Sequence, residues 1–304
     1  MAGDSNKAIL AAFFANLGIA IAKFIAFAFT GSSSMLAEGV HSVADTGNQG
    51  LLMLGGRRAR KAPTPKHPFG YGRERYFWSF IVALVLFTLG SAFALFEGIK
   101  KIRDPHEIDS PAWAIGVLLF AIVLESYSMR TAVVQSRPLL AGRTWWQFIR
   151  RSKEPELPVV LLEDLGALTG LMIALGAVTL SVTTDDGLWD GVGTLLIGVL
   201  LGAIAIVLAV EMKSLLIGEA ASAKEAALIN EAFESSPEVS RLIHIRTQHI
   251  APDELLVGAK VEFVPTLEGP ELAAAVDAVE ARVRAAVPIA TAMYIEPDVG
   301  RGQP

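Results

Sequence analysis

Residues 37–50, AEGVHSVADTGNQG, place two carboxyl groups and an imidazole within two helical turns. Glu38, His41 and Asp45 follow one another at spacings of three and four residues, and Asn48 continues the series. Because four residues of helix advance about 6 Å and seven return almost to the same face, these side chains form one polar stripe. Imidazole nitrogen and carboxylate oxygen together are a ligand set for Zn²⁺, and also for Mn²⁺, Fe²⁺ or Co²⁺.

A second acidic pair occurs much later in the chain. In LPVVLLEDLGALTGLMIAL, Glu163 and Asp164 interrupt an otherwise apolar segment. Asp164 on a facing helix, together with the stripe, can surround a divalent cation. An internal network is the alternative, in which Lys23 or Arg130 neutralises some of the acids. A single salt bridge requires only one acid and one base, whereas these two segments together contain four acids and a histidine. The sequence therefore favours a cation site.

Both acidic segments lie in stretches long and apolar enough to cross a membrane, which takes about 20 residues. An acid at the centre of a membrane helix costs roughly 2.5–3.5 kcal/mol, so these acids must face a partner, an ion or water. Six windows qualify, namely residues 8–30, 34–56, 76–99, 112–134, 157–182 and 188–212. We therefore expect a six-helix transmembrane domain over residues 1–212, with the first window retained as a span.

The composition excludes several classes of site. Hydrophobic residues make up 52% of the chain and charged residues 19%, which is typical of a membrane protein. The net charge of −5 gives no indication of a nucleic-acid partner. Because the chain has no cysteine, a disulfide framework, a thiolate metal site and a cysteine nucleophile are excluded.

Basic residues in the loops predict the orientation, because cytoplasmic loops carry an excess of Lys and Arg. The loops after the second and fourth spans are strongly basic, whereas those after the first and fifth contain no basic residue. The loop after the third span contains both basic and acidic residues, and its basic residues argue weakly against this orientation. Both termini are therefore expected in the cytoplasm.

Residues 213–304 have the pattern of a separate soluble domain. AKEAALINEAFES (223–235) predicts a helix, while HIRTQHI (244–250) and LLVGAKVEFV (255–264) alternate like strands. An apolar helical stripe over residues 272–283 and a last strand in TAMYIEP follow. This α-β-β-α-β order is typical of a small α+β domain with helices on one face of a sheet.

Small residues four apart occur in the last two windows, as Gly166 and Gly170 in GALTG and as Gly198 and Gly202 in GVLLG. Such pairs let helix backbones approach closely in lipid, so packing is their simplest interpretation. Asp190, just before the last apolar run, is most simply a helix N-terminal residue.

Three segments resemble the cation diffusion facilitator family over residues 8–300. They are SSSMLAEGVHSVADTGNQGLLMLGGRRA, KHPFGYGRERYFW and LLEDLGALTGLMIALG. WWQFIRRSKEPELPVVLLEDLGA is similar to the subgroup that includes the mitochondrial zinc exporters of animals. The resemblance implies a divalent-metal/proton antiporter with six spans and a cytoplasmic ferredoxin-like domain.

Carried over residue by residue, the family's metal pair in the second span falls on His41 and Asp45. Its aspartate in the fifth span falls on Asp164. The usual partner four residues earlier falls on Val160, which cannot bind metal.

The fourth ligand is therefore open. Glu163 is one candidate, although it lies about 100° around an ideal helix from the neighbouring aspartate. Glu38 is a second candidate and water a third. Asn48 and Asn16 are possible path residues or secondary ligands.

Two further metal sites of the family are depleted in this sequence. His67 matches one ligand of a loop site, but Tyr71 stands at a second position, so His67 is expected to order the loop. In the C-terminal domain, Ile243, Lys260 and Glu296 replace the histidines that the resemblance implies, although Asp298 remains. The expected role of this domain is dimerisation.

The sequence thus predicts an efflux transporter that exchanges a divalent cation, most simply Zn²⁺, for protons. A ligand must lose its protons to bind metal, and the ordinary pKa of histidine, about 6.5, suits exchange near neutral pH. Mn²⁺, Fe²⁺ and Co²⁺ are the alternative cargoes. A membrane-embedded metal sensor and a metalloenzyme are the alternative functions, and no nucleophile motif supports the enzyme.

The predicted partners are the cation, protons, the lipid membrane and a second copy of the chain, with no cofactor besides the transported ion. The alanine- and glycine-rich composition favours a bacterial plasma membrane.

Overall fold

The computed structural model describes residues 2–108, 110–140 and 142–298, with side-chain detail from Asn16 onward. The ends of the two predicted domains, at residue 1 and residues 299–304, lie outside the described residues. The chain divides into two compact units, residues 1–58 with 74–213 and residues 59–73 with 214–304. The loop that follows the second helix is thus grouped with the C-terminal residues.

The first unit is helical. Its first two helices are α1, Ala2–Thr30, and α2, Ser33–Ala59. Helix α3, Glu74–Val85, continues through a π-helical segment, Leu86–Ala92, into α4, Phe93–Arg103. The remaining helices are α5, Pro111–Ser136, the short α6, Trp145–Arg151, α7, Glu156–Thr184, and α8, Leu188–Ile217.

Four stretches of the described residues are long and apolar enough to cross a membrane. They are Glu74–Arg103, Pro111–Leu140, Glu156–Thr184 and Leu188–Ile217, and they contain the predicted third to sixth spans. Helix α1 has a shorter apolar stretch, Asn16–Thr30. Helix α2 carries the polar stripe, which lowers its mean hydropathy.

Small residues bring α4 and α8 close together. A Cβ added to Gly98 would lie 2.7 Å from the backbone nitrogen of Leu195, and one added to Gly198 would lie 2.8 Å from Leu95. The hydroxyl of Ser91 donates a 2.8 Å hydrogen bond to the Gly198 carbonyl oxygen. The glycines of GVLLG thus serve close helix packing, as their spacing predicted.

The second unit has the predicted α-β-β-α-β order. Its elements are α9, Ala223–Glu234, β1, Val239–Ala251, β2, Glu254–Phe263, α10, Gly269–Ala286, and β3, Ala292–Asp298. The sheet order is β1-β2-β3, in which β2 pairs antiparallel with β1 and parallel with β3. Strand β1 begins at Val239 rather than at His244, so it is longer than predicted.

The core of this unit follows from the period of two along β2. Leu255, Val257 and Val261 are buried on one face of the strand, where they belong to one core with Phe233 of α9 and Val279 of α10. A capping box in which Ser222 pairs with Glu225 begins α9.

The loop of residues 59–73 is ordered by contacts within it. Thr64 and His67 exchange two backbone hydrogen bonds of 3.1 and 2.9 Å. The imidazole of His67 lies 4.6 Å from the ring of Tyr71, centroid to centroid. These contacts are in keeping with the expected loop-ordering role of His67.

Candidate metal centre

The polar stripe of α2 is buried. Glu38, His41 and Asn48 have no exposed surface, and Asp45 is 8% exposed. The Nδ1 atom of His41 lies 3.5 Å from Oδ1 of Asp45, because residues four apart are neighbours on a helix. The structure therefore brings these two predicted ligands together.

Several polar atoms of the stripe have no hydrogen-bond partner among the described residues. They are Oε1 of Glu38, both ring nitrogens of His41, Oδ1 of Asp45 and Oδ1 of Asn48. Such atoms are uncommon, since leaving a buried polar group unpaired costs about 1–3 kcal/mol. A divalent cation is a partner that imidazole nitrogen and carboxylate oxygen can bind directly, so the donor set fits a transported metal.

The π-helical segment Leu86–Ala92 approaches the imidazole. A Cβ added to Gly90 would lie 3.9 Å from Nδ1 of His41 and 3.2 Å from Leu201. The absence of a side chain at Gly90 therefore leaves room between the π-helical segment and these two residues. Single π-helical turns are frequent at functional sites. Sequence reasoning missed this neighbour, for which the adjacent Gly90 and Ser91 were the only signal.

The two acids of α7 bind different partners. Glu163 is buried and accepts a 2.7 Å hydrogen bond from Nδ2 of Asn48, which joins α7 to the stripe. Asp164 is partly buried and accepts a 3.1 Å hydrogen bond from the hydroxyl of Ser128 on α5. In the described chain Glu163 thus makes the direct contact with α2, while Asp164 bonds to α5.

No group of three or more His, Asp or Glu side chains among the described residues is arranged to hold a metal ion. The predicted trio of His41, Asp45 and Asp164 is therefore not gathered into a finished site. The structure instead shows a pair of candidate ligands, in which Asp45 interacts electrostatically with Glu163, with the buried Glu125 of α5 and with Lys23.

Glu38 belongs to a separate ion pair. The ammonium of Lys23 on α1 lies 3.0 Å from Oε2 of Glu38 and donates a 2.7 Å hydrogen bond to the hydroxyl of Ser42. All three side chains are buried. The neutralising bridge that the sequence left open exists for this acid.

Two other predicted positions lie at the edge of this arrangement. Val160, at the family's usual fourth position, packs against an apolar cluster that includes Phe148 and Leu161. Asn16 is partly buried on α1, seven residues before Lys23, and so shares its helix face.

In the second unit, a lysine stands between two carboxylates at the family's metal positions. The Nζ atom of Lys260 lies 2.8 Å from Asp298 and 3.2 Å from Glu296. Hydrogen bonds to Asp298 and then to Glu296 raise the pKa of Lys260 above its ordinary value. The ammonium of Lys260 is thus paired with both carboxylates.

Comparison with known proteins adds independent findings. A family model described as the cation efflux transmembrane domain matches residues 9–217. The chain is 31% identical over 243 residues to "Proton-coupled zinc antiporter SLC30A9, mitochondrial" of Mus musculus and of Homo sapiens, covering 79% of this chain and 43% of each relative. It therefore spans less than half the length of these two relatives.

Two further relatives come from other groups of organisms. "Metal tolerance protein C4" of Arabidopsis thaliana is 30% identical over 261 residues, which are 85% of this chain and 57% of the plant protein. "Magnetosome protein MamB" of Paramagnetospirillum magneticum is 23% identical over 284 residues, which are 91% of this chain and 88% of that protein.

Proposed function

The chain belongs to the cation diffusion facilitator family of integral-membrane cation efflux transporters, and on that premise we propose that it exports Zn²⁺ in exchange for protons. It is a transporter rather than an enzyme, in keeping with its family. The observation that carries the proposal is the buried pair of His41 and Asp45, whose facing atoms lie 3.5 Å apart. Both ring nitrogens of His41 and Oδ1 of Asp45 have no hydrogen-bond partner among the described residues. The name of the mitochondrial relatives, a proton-coupled zinc antiporter, supports both the ion and the coupling.

The proposed binding set is His41, Asp45 and Asp164, with Glu163 in the fourth position. Glu163 is favoured because Asn48 already holds it against the stripe at 2.7 Å. Ser128 bonds to one oxygen of Asp164, and joining the ion requires this carboxylate to move closer to His41 and Asp45. A small rotation or shift of α7 against α2 accomplishes this and is the movement that we expect to accompany binding.

Proton coupling follows from the chemistry of these ligands. Imidazole and carboxylates bind a cation in their deprotonated forms, so binding releases protons and returning protons displace the ion. An inward proton gradient therefore drives efflux. Zn²⁺ suits a mixed nitrogen and oxygen set, and Mn²⁺, Fe²⁺ and Co²⁺ are the competing cargoes.

The proposed topology has six spans within residues 1–212, namely α1, α2, the continuous stretch Glu74–Arg103, α5, α7 and α8. Both termini face the cytoplasm, since the strongly basic loops follow the second and fourth spans. Residues 213–304 form a cytoplasmic ferredoxin-like domain, which the mixed three-stranded sheet supports. We further propose a homodimer in a bacterial plasma membrane.

Metal flux into proteoliposomes under an imposed pH gradient tests the function. Zn²⁺, Mn²⁺, Fe²⁺ and Co²⁺ are compared for the wild type, Asp45→Ala and Asp164→Ala. We expect gradient-driven Zn²⁺ flux in the wild type and its loss in both variants, each inserted in the membrane at normal levels. Retained flux in both variants contradicts the proposed site, and absence of flux for all four metals contradicts the proposed function.

Asp185→Asn is the matched control for Asp164→Ala. Asp185 follows α7 and is exposed, with a left-handed φ of 49° that asparagine also tolerates. The control removes one carboxylate from the end of the same helix without touching the buried cluster. We expect its flux to equal that of the wild type.

A further inference from the structure

The ion pair of Lys23 and Glu38 lies beside the proposed ligands without being part of them. We propose that Lys23 is a positioning residue that withholds the Glu38 carboxylate from the transported cation and so keeps the site weak enough to release it. The inference rests on the proposed function of the His41 site and adds one residue, on α1, to it.

The geometry places Glu38 within reach of the site. It precedes His41 by three residues, so both side chains lie on one face of α2. Its Oε1 atom is buried and has no hydrogen-bond partner among the described residues. A Cβ added to Gly170 of α7 would lie 2.5 Å from this oxygen, so the carboxylate already touches the helix that carries the second acidic pair.

Lys23 restrains this carboxylate from the opposite side. Its ammonium is buried, lies 3.0 Å from Oε2 of Glu38 and is fixed by a second bond of 2.7 Å to Ser42. A buried ammonium beside a carboxylate is a fixed partner, because neither charge can be solvated by water. Oε2 of Glu38 is thereby held toward α1, while Oε1 lies against Gly170 of α7.

The pair also controls the charge around the ion. Lys23 interacts electrostatically with His41, Asp45 and Glu125 as well as with Glu38. Without the ammonium, the cluster would present one more free carboxylate to a divalent cation. A transporter needs an ion that binds and then leaves, so an additional anionic ligand favours binding at the expense of release.

The test compares four full-length chains: wild type, Lys23→Met, Glu38→Gln and the double variant. Apparent KM and maximal rate for Zn²⁺ are measured in proteoliposomes, and equilibrium Zn²⁺ binding is measured by calorimetry on the purified protein. Methionine keeps the length and apolar stem of lysine, and glutamine keeps the shape of glutamate.

The two single variants are expected to shift affinity in opposite directions. Lys23→Met frees the carboxylate, so KM and Kd fall about tenfold and the maximal rate falls with them, a size typical of changes beside metal ligands. Glu38→Gln leaves an unneutralised ammonium, so KM and Kd rise about tenfold. In the double variant both groups are neutral, and we expect values within about twofold of the wild type.

Two results would overturn the proposal. A double variant that binds Zn²⁺ as weakly as Glu38→Gln shows that Glu38 is itself a ligand. Unchanged KM and Kd in all variants, with altered thermal stability alone, show that the pair is only structural. If Lys23→Met does not fold, the comparison of Glu38→Gln with the double variant still decides between these outcomes.

Lys101→Met with Asp190→Asn is the matched control, because Lys101 and Asp190 are another fully buried pair, 3.9 Å apart, at the start of α8. This double variant should change stability and leave KM for Zn²⁺ unchanged. Failure of the proposed function is recognised separately, since the wild type then shows no flux while Zn²⁺ binding by the four chains still tests the ion pair.

Discussion

Helix α2 begins in one buried polar cluster and contains another, and the two differ in how completely their atoms are paired. The first, here called the Asp190 cluster, consists of residues 32–34, Lys101 and Asp190. The carboxylate of Asp190 accepts hydrogen bonds from the Ser32 hydroxyl at 2.9 Å, the Ser33 amide at 2.8 Å, the Ser34 amide at 3.3 Å and the Ser34 hydroxyl. Asp190 is fully buried and well satisfied.

The second cluster is the stripe of Glu38, His41, Asp45 and Asn48, where four polar atoms of the last three residues lack partners among the described residues. The residues of both clusters are at most 8% exposed, so burial by itself does not distinguish the two clusters. Hydrogen-bond pairing distinguishes them. A buried polar group without a partner destabilises the fold, so such groups are not expected in a cluster whose role is only structural. We infer that the Asp190 cluster holds the helices together and that the stripe binds the cargo.

The largest expected effect on stability is at Asp190. Asp190→Ala removes the acceptor of two hydroxyl and two amide donors and breaks a buried ion pair, which costs about 3–5 kcal/mol. The free energy of unfolding is measured by denaturant titration in bicelles. Tryptophan fluorescence is a suitable signal, because all five tryptophans lie between residues 78 and 189. A variant as stable as the wild type would contradict the structural role.

Asp45→Asn should show the opposite behaviour. The stability of the protein should be unchanged or slightly higher, since Oδ1 of Asp45 accepts no hydrogen bond from any residue that the structure describes. Zn²⁺ flux should fall at least about 100-fold, in the range caused by changes at or beside metal ligands. Stability and flux are measured on the same preparation, and a variant that loses stability but keeps flux would reverse the distinction between the clusters.

Gly170 tests how closely α7 must approach the stripe. In Gly170→Ala the new Cβ would lie 2.5 Å from Oε1 of Glu38, so the helix or the carboxylate must shift, at a cost of about 1–3 kcal/mol. Gly176→Ala on the same helix is the matched control, since nothing lies within 4 Å of its Cβ position. Equal stability of the two variants, by the same titration, would show that the approach is not tight.

The smallest effect is expected at a partly exposed ion pair of the second unit, Glu238 with Arg282. A hydrogen bond from Arg282 lowers the pKa of Glu238, so this pair contributes at neutral pH and its contribution is lost as pH falls through the lowered pKa. Because water solvates both partners, Glu238→Gln should change hydrogen-exchange protection of α10 only slightly at pH 7 and not at all well below that pKa. A large loss of protection at pH 7 would show that a partly exposed ion pair contributes as much to stability as the buried clusters do.

Much of the fold could be predicted because it depends on local periodicity. Apolar runs of span length predicted the long helices, and alternation along residues 255–264 predicted the buried face of β2. The proximity of His41 and Asp45 could also be predicted from the sequence, because residues four apart on a helix are neighbours wherever the helix lies. The partners on other helices could not be predicted, because they come from distant parts of the chain. They are Ser128, which bonds to Asp164, the π-helical segment beside His41 and the hydroxyls that bond to Asp190.

The sequence alone therefore determined that this protein has long apolar helices, a polar stripe with His41 and Asp45 adjacent, and a mixed α+β C-terminal unit. Tertiary structure alone decided which buried acids are neutralised. Lys23 pairs with Glu38, Asn48 bonds to Glu163, and four donors surround Asp190. Within the described part of the chain, His41 and Asp45 keep polar atoms that have no hydrogen-bond partner. The reason is physical: spacing along a helix is set by the backbone, whereas the pairing of a buried charge depends on which side chain another helix brings within about 3 Å.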